Sequence, residues 1–535
     1  MFSMKSIRSL LILLGLALLG GLLGYNLATK EKTQQAESHP PVIARGEAEA
    51  RPTRDLPEMV QYEAAIEPDL NFPPNAVRGE LVVRFNSRSE YLDFLQALAE
   101  AGLQPLGQID GLLAVRIPSS ALLQARLGQY EAEAEYAYRV EQPPSPVQIA
   151  PEDLARLRAF DASARFITGE PLMGDGRGVK IAILDSGIVA HPYLDGVEIV
   201  SLGLSGDRVD GAGASHGTSV ASIIAGREGI APAAELFVVR VLDEEGLGNS
   251  FHVAEGIVRA VDQGAQLINL SLGVYQDSPL LRQAVRYAHQ QGVIMVAAAG
   301  NDGFDRLPFP AAYSEVLAVT AVDAGGQQAL FPNQSKSIDF AAPGVGILAA
   351  DEEGGMTLFS GTSAAAPFVT GSLASLLSGE NPSTPHAAVE LMRSYLNEQG
   401  APGLDPVYGA GVLDWDRLRE RSTPGITDVA LADIYLPSNS IPGTNTPVEV
   451  IVQNRGTKWL SGAELEVFVG EAKPVSFTLG SLGPGQTTTR QVVVQVPSKE
   501  SAAALEIVAR VKPENLQEDV RLENNVKAVS FRPSF

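Results

Sequence analysis

The stretch KIAILDSGI, residues 180–188, runs four apolar residues into a carboxylate and then a glycine. It lacks polar alternation, so as a strand it must be buried on both faces, which belongs inside a parallel sheet covered by helices. Further runs of this kind follow, ELFVVRVL, AQLINLSL, VIMVAAA and VLAVTAV, with apolar helical segments between most of them. Strands alternating with helices predict an α/β domain over 171–421, a doubly wound and mostly parallel sheet. Ligands of such sheets sit beyond the carboxyl ends of the strands, and Asp185 falls at one of them.

Outward from this domain the pattern changes on both sides. Over 78–141, ELVVRF reads as a strand and SEYLDFLQALAEAG as a helix with Tyr91, Leu92, Leu95 and Leu98 on one face and Gly102 as its stop. LQPLGQIDGLLAVRIP then reads as two strands, SSALLQARLGQY as a helix and AEYAYRV as a last strand. The order βαββαβ predicts a small ferredoxin-like α+β domain. A Pro-rich linker starting in EQPPSPVQIAP fills 142–170, and a polar tether with scattered prolines fills 29–77. Beyond Pro424 the helical pattern vanishes, and 424–535 predicts an all-β, Ig-like sandwich.

Residues 1–28 carry Lys5 and Arg8 ahead of the apolar run Leu10–Ala28. This reads as a signal peptide or a signal-anchor, and the poor small-residue pair Asn26 and Ala28 favours the uncleaved, transmembrane form. Either form exports the protein, anchored to the membrane with its domains outside the cytosol or secreted after cleavage. A net charge of −23 repels phosphates and argues against a nucleic-acid partner. There is no cysteine, which excludes thiol catalysis, thiolate metal sites and disulfides.

Three points in the central domain carry chemistry. Asp185 ends a strand ahead of Gly187, His216 opens the helix SHGTSVASIIAG, and Ser363 opens the alanine-rich helix in FSGTSAAAPFVTGS. A helix N-terminus offers unpaired N–H groups to a negative charge developing beside the serine. An acid, a base and a nucleophile in the order Asp, His, Ser is one chain order of the catalytic triad. His191, in HPYL, follows turn chemistry and is read as structural. Glycine-rich GDGRGVK and GAGASHG do not carry a nucleotide site, since the first precedes a strand and the second lacks the final glycine.

With these blocks and their flanks the sequence resembles the subtilisin-like serine peptidases over about 170–420. The match lies in Asp185-Ser186-Gly187, His216-Gly217-Thr218-Ser219-Val220-Ala221 and Gly361-Thr362-Ser363-Ala364-Ala365-Ala366-Pro367, with YGAGVLD at 408–414 as a closing segment. The resemblance implies Asp185, His216 and Ser363 as catalytic residues and Asn301, in AAAGN, as the oxyanion donor. Ser271, Leu272, Gly273, Ala298, Ala299 and Gly300 are implied as substrate-binding residues, with cleavage after apolar or aromatic residues. Partners are then protein or peptide substrates.

The resemblance also makes 78–141 a propeptide, an inhibitor and folding aid for its own enzyme, with the mature enzyme starting within 142–170. The C-terminal module resembles CARDB-type sandwiches, which implies a cell-surface or extracellular ligand. No cofactor is implied for the chemistry. A structural calcium ion is a family feature, yet only Arg227, Glu228 and Gly229 separate Gly226 from Ile230, too few for the family's tight calcium loop. Ala364 stands where many relatives carry an oxidisable methionine. Competing readings are a catalytically inactive, tethered interaction scaffold, and a transpeptidase or cyclase using the same acyl-enzyme.

Overall fold

A computed structural model describes residues 72–120, 127–144, 173–204, 214–379, 384–437, 439–498, 504–514 and 518–531. The central sheet has seven parallel strands in the order β13-β12-β11-β10-β6-β8-β7. These are β6 (Lys180–Asp185), β7 (Glu198–Ser201), β8 (Glu235–Arg240), β10 (Leu267–Leu270), β11 (Ile294–Ala298), β12 (Val316–Val322) and β13 (Phe340–Pro343). Successive residues of a strand point to opposite faces, and here both faces are cores. Ile181 and Ile183 enter one with Val220, Ile223, Ala364 and Phe368, whereas Ala182 and Leu184 enter the other with Val253, Ile257, Leu281 and Val285. Helices Ser215–Ala225 and Thr362–Leu377 therefore cover one face, and Ser250–Asp262 and Pro279–Gln290 the other. The unalternating sequence of KIAIL has this as its cause.

The N-terminal sheet has four antiparallel strands in the order β2-β3-β1-β4: β1 (Glu80–Phe85), β2 (Gly107–Ile109), β3 (Ala114–Pro118) and β4 (Ala132–Glu135). Leu81, Val83, Phe85, Val115 and Ile117 pack on the helix Arg88–Glu100 through Tyr91, Phe94 and Leu98. Val82, Ile109, Leu112 and Ala114 face the other way, into the core of the catalytic helices 250–262 and 279–290. The helix departs from expectation at Leu92, which is 50% exposed, because the buried stripe runs 91-94-95-98 and position 92 lies about 100° away from 91. Residues 121–126, within the expected second helix, lie outside the described residues.

AEYAYRV is not one strand. Its first part belongs to β4, while β5 (Arg139–Glu141) leaves the sheet and pairs antiparallel with β9 (Leu247–Asn249) of the catalytic domain. Burial decides this, since Ala137 and Val140 enter the catalytic core and Tyr138 exchanges bonds with Ser250 through N–H to Oγ at 3.0 Å and Ser250 N–H to its carbonyl at 2.8 Å.

The hairpin of β14 (Ile347–Ala350) and β15 (Met356–Phe359) leads into the Ser363 helix. The short helices Pro385–Arg393 and Trp415–Glu420 close the catalytic domain. The C-terminal module is an all-β sandwich of two antiparallel sheets around one core. One sheet orders β16 (Val429–Tyr435), β17 (Asn445–Asn454) and β20 (Thr487–Gln495). The other orders β19-β18-β21-β22, with β18 (Ala463–Val469), β19 (Val475–Leu479), β21 (Leu505–Pro513) and β22 (Val526–Phe531).

The transmembrane, membrane-anchored expectation is corrected. Among the described residues no helix is long and apolar enough to cross a membrane. The longest of them, Thr362–Leu377, has 16 residues, about 24 Å against a hydrocarbon core of about 30 Å. The run Leu10–Ala28, on which that expectation rested, lies outside the described residues, as do 29–71 of the tether 29–77 and 145–170 of the linker 142–170.

Candidate active site

Asp185, at the carboxyl end of β6, is 1% exposed. Its Oδ1 accepts from the Ser186 amide at 2.7 Å, the Ser186 hydroxyl at 3.2 Å and His216 Nδ1 at 2.8 Å, with Oδ2 3.0 Å from the same nitrogen. The approach depends on missing side chains. Gly187 has φ +104°, and a Cβ on Gly217 would overlap the Gly187 carbonyl oxygen, so the strand end and the His216 helix touch backbone to backbone. Thr218 ties them further by accepting from the Val189 amide at 3.0 Å. With Nδ1 donating to a carboxylate, His216 keeps Nε2 as a lone-pair acceptor. That nitrogen is buried and has no hydrogen-bond partner, and the ring edge rests on Phe359 at 5.3 Å between centroids.

Ser363 is the second residue of its helix, after Gly361 at φ +135°, and is 2% exposed. Its Oγ, like His216 Nε2, is buried and unbonded. Four residues on stands Pro367, which has no N–H to give the Ser363 carbonyl. That carbonyl accepts from the Ser271 hydroxyl at 3.3 Å instead. Asn269 holds Ser271 in turn, donating Nδ2 to its Oγ at 3.1 Å and accepting from Thr370 at 2.9 Å. The proline thus couples the serine helix to the strand end carrying Ser271, Leu272 and Gly273.

Asn301 follows Ala298, Ala299 and Gly300 at the end of β11. Its Oδ1 accepts from the Thr362 amide at 3.0 Å and hydroxyl at 2.8 Å, which turns the NH2 group outward. Thr362 Oγ1 also accepts from the Gly300 amide at 3.1 Å. The outward Nδ2 donates to the carbonyl of Pro144 at 3.0 Å. The sequence reading did not anticipate this contact or the role of Thr362. The only signal was the proline pair Pro143-Pro144 just beyond the last apolar strand.

The segment 139–144 is laid along the site as an added strand. Glu141 and Gly273 exchange N–H to carbonyl bonds at 3.0 and 2.9 Å, and Gln142 donates to the Gly246 carbonyl at 2.9 Å. Between β9 and Gly273 the site is a groove for extended backbone. Ala298 and Ala299 are buried behind it, and the Ala299 carbonyl accepts from Asn333 Nδ2 at 3.0 Å. His191 lies apart, its Nδ1 accepting from the Tyr193 amide at 2.9 Å and its Nε2 facing the Gly355 carbonyl at 2.9 Å. Both ring nitrogens serve loop structure. Among the described residues no group of three or more His, Asp or Glu side chains is arranged to hold a metal ion.

The Subtilase family model matches residues 176–411, and the CARDB model matches 427–529. Subtilisin Savinase of Lederbergia lenta is 35% identical over 276 residues, 50% of this chain and 97% of that protein. The chain belongs to the subtilase family. A thermostable alkaline protease of Halalkalibacterium halodurans is 38% identical over 251 residues, 44% of this chain and 66% of its own. Among solved structures, fervidolysin of Fervidobacterium pennivorans superposes with a TM-score of 0.53 at 22% identity, covering 81% of this chain and 71% of that one, and at that identity it speaks for the fold. This subtilase is a subtilisin-type serine endopeptidase with a C-terminal CARDB sandwich, and its substrates are proteins or peptides.

Proposed function

We propose that the protein is an exported serine endopeptidase made as a zymogen, with Ser363 as nucleophile, His216 as general base and acid, and Asp185 as the group that orients the imidazole. The observation that carries this is the pair of buried, unspent atoms, His216 Nε2 and Ser363 Oγ, on a base whose other nitrogen is already held by Asp185. Ser363 Oγ attacks a peptide carbonyl while His216 Nε2 takes its proton. The tetrahedral oxyanion is held by Asn301 Nδ2 and the Ser363 amide. On collapse His216 protonates the leaving amine, and water then cleaves the acyl-enzyme with the same base. Ser271–Gly273 and Ala298–Gly300 hold the substrate backbone, and no cofactor takes part in the chemistry.

The N-terminal domain fits a ferredoxin-like propeptide by its strand order, with one sheet face on its own helix and the other on the enzyme. Its outgoing segment 139–144 occupies the groove as a substrate does, with the Pro144 carbonyl on the oxyanion donor, so it acts as the enzyme's own inhibitor. The test compares the intact mass of residues 29–535 with that of a Ser363→Ala variant, each with a fluorophosphonate probe. Self-trimming after the N-terminal domain and one probe per wild-type chain, both absent in the variant, is expected. If wild type also stays full length and unlabelled after trace trypsin has removed the domain, the proposal falls.

A further inference from the structure

Gly273 and Gly300 carry no side chains, which opens space between the two edges of the groove for the side chain of the residue whose carbonyl meets Asn301. Pro308 fills that space again. A Cβ on Gly273 would come within 2.7 Å of the Pro308 Cβ and 2.8 Å of its Cγ. A Cβ on Gly300 would meet Asn333 Nδ2 first, at 2.3 Å, with the Pro308 Cδ 3.4 Å away in ordinary contact. The ring therefore closes the Gly273 wall and touches the Gly300 one, which Asn333 backs. Pro308 is buried, and its neighbour is fixed to the groove strand by Val274 N–H to Phe309 O at 2.9 Å and Phe309 N–H to Val274 O at 2.7 Å. A closed pyrrolidine has no rotamers by which to swing aside, as a leucine or methionine would. The cavity left with the segment in place is about 70 Å³ and is spread along the groove from Asn75 and Arg139 to Asp302 and Pro308. The segment 139–144 lines it with Arg139, Glu141, Gln142, Pro143 and Pro144, and the residue whose carbonyl meets Asn301 is the compact Pro144.

We infer that Pro308 is the floor of a shallow pocket for the residue before the scissile bond, and that this peptidase cleaves after small side chains rather than aromatic or large apolar ones. This rests on the reading of Asn301 as oxyanion donor and Ser363 as nucleophile, and it reverses the preference that the family resemblance implied. An aromatic ring would have to displace a buried proline packed against Gly273 before its carbonyl could reach Asn301, so the mismatch penalises the transition state and is read in kcat/KM.

The experiment uses the mature enzyme on tetrapeptide anilides identical except for Ala, Pro, Leu or Phe before the anilide. The expected result is a kcat/KM for Ala at least about tenfold above that for Phe, within the range that pocket size alone supplies. Pro308→Gly should raise the Phe-to-Ala ratio by about tenfold or more, by the same measure. A wild type that prefers Phe or Leu over Ala overturns the inference, as does a folded Pro308→Gly enzyme whose ratio is unmoved. The wild-type series decides alone if the variant does not fold. Enzyme that takes up fluorophosphonate at Ser363 yet prefers Phe refutes only the shallow pocket. Enzyme that neither labels nor hydrolyses any anilide refutes the triad reading beneath it.

Discussion

Asn301 is useful because Thr362 has already spent its oxygen: two bonds to Oδ1 leave the NH2 group no orientation but outward. Asn301→Ala is expected to lower kcat by about 10²–10³ with little change in KM, a size taken from removal of an oxyanion-hole asparagine in subtilisin. Equal turnover in the variant would show that the Ser363 amide suffices. Thr362→Val keeps the shape and the amide bond to Oδ1 but removes the hydroxyl one, so Asn301 is still present but held by one bond in place of two. A kcat loss smaller than that of Asn301→Ala, again without a KM change, is the signature of positioning. Gly217 is constrained as tightly from the other side. An alanine methyl there would drive the His216 helix off the Gly187 carbonyl, and Gly217→Ala should cost about 1–3 kcal/mol of stability as overpacking does, measured by denaturant unfolding.

The break between β4 and β5 makes one run of sequence serve two bodies, and the docking surface it joins contains a titratable group. His252, on the catalytic helix 250–262, has its pKa lowered to about 4, first by burial and second by Arg116 of the N-terminal domain. Its Nδ1 faces Asn249 Nδ2 at 3.2 Å, and Arg116 lies over Phe251 at 5.3 Å. An imidazole freed from this surface returns to an ordinary value near 6.5, so the bound state disfavours a proton that the released state takes up. Docking is then at full strength above about pH 6.5 and weakens as pH falls toward 4. Glu135, raised by burial beside Arg84, Ser278 and the Leu280 amide, opposes this. After cleavage, retention of the N-terminal domain on gel filtration should drop by about tenfold in apparent affinity between pH 7 and 5, discounted from the full shift for partial exposure. His252→Gln should flatten the profile, and a profile unchanged by it would assign the effect elsewhere.

The catalytic domain's closing segment and the sandwich form a joint with few apolar groups and many charges. Gln453 Nε2 donates to the Leu396 carbonyl at 3.0 Å, the Glu398 amide donates to Gln453 Oε1 at 3.1 Å, and the Gly400 amide to Asp433 Oδ2 at 2.8 Å. Arg521 of the sandwich binds Glu420 across the joint at 2.8 Å, while its pair with Asp428 and the pair of Lys527 with Asp433, also at 2.8 Å, lie within the sandwich. None of this was legible in the sequence, whereas much of the catalytic core was. KIAIL announces a strand buried on both faces because each of its side chains must be apolar, and the Asp185, His216 and Ser363 blocks announce themselves because close backbone approach demands small residues beside each. Pro308 on Gly273, Pro144 on Asn301 and Gln453 on Leu396 join segments whose own neighbours in sequence give no sign of the partner. In the joint with the sandwich, burial raises Glu398 to about 7, and Asp405 and Asp433 push the same way against a bond from the Gly403 amide. A carboxyl whose folded value lies above its unfolded one near 4.5 favours the folded state while protonated, so stability is lost as pH rises from about 4.5 to 7 and stays lost above. Glu398→Gln keeps an acceptor for Gly403 and removes the charge. At pH 8 it is expected to raise the unfolding midpoint by a few degrees, at about 2–4 °C per kcal/mol, and to leave it unchanged near pH 4.5. A rise of equal size at both pH values would mean that the substitution acts through packing and that no buried charge is relieved.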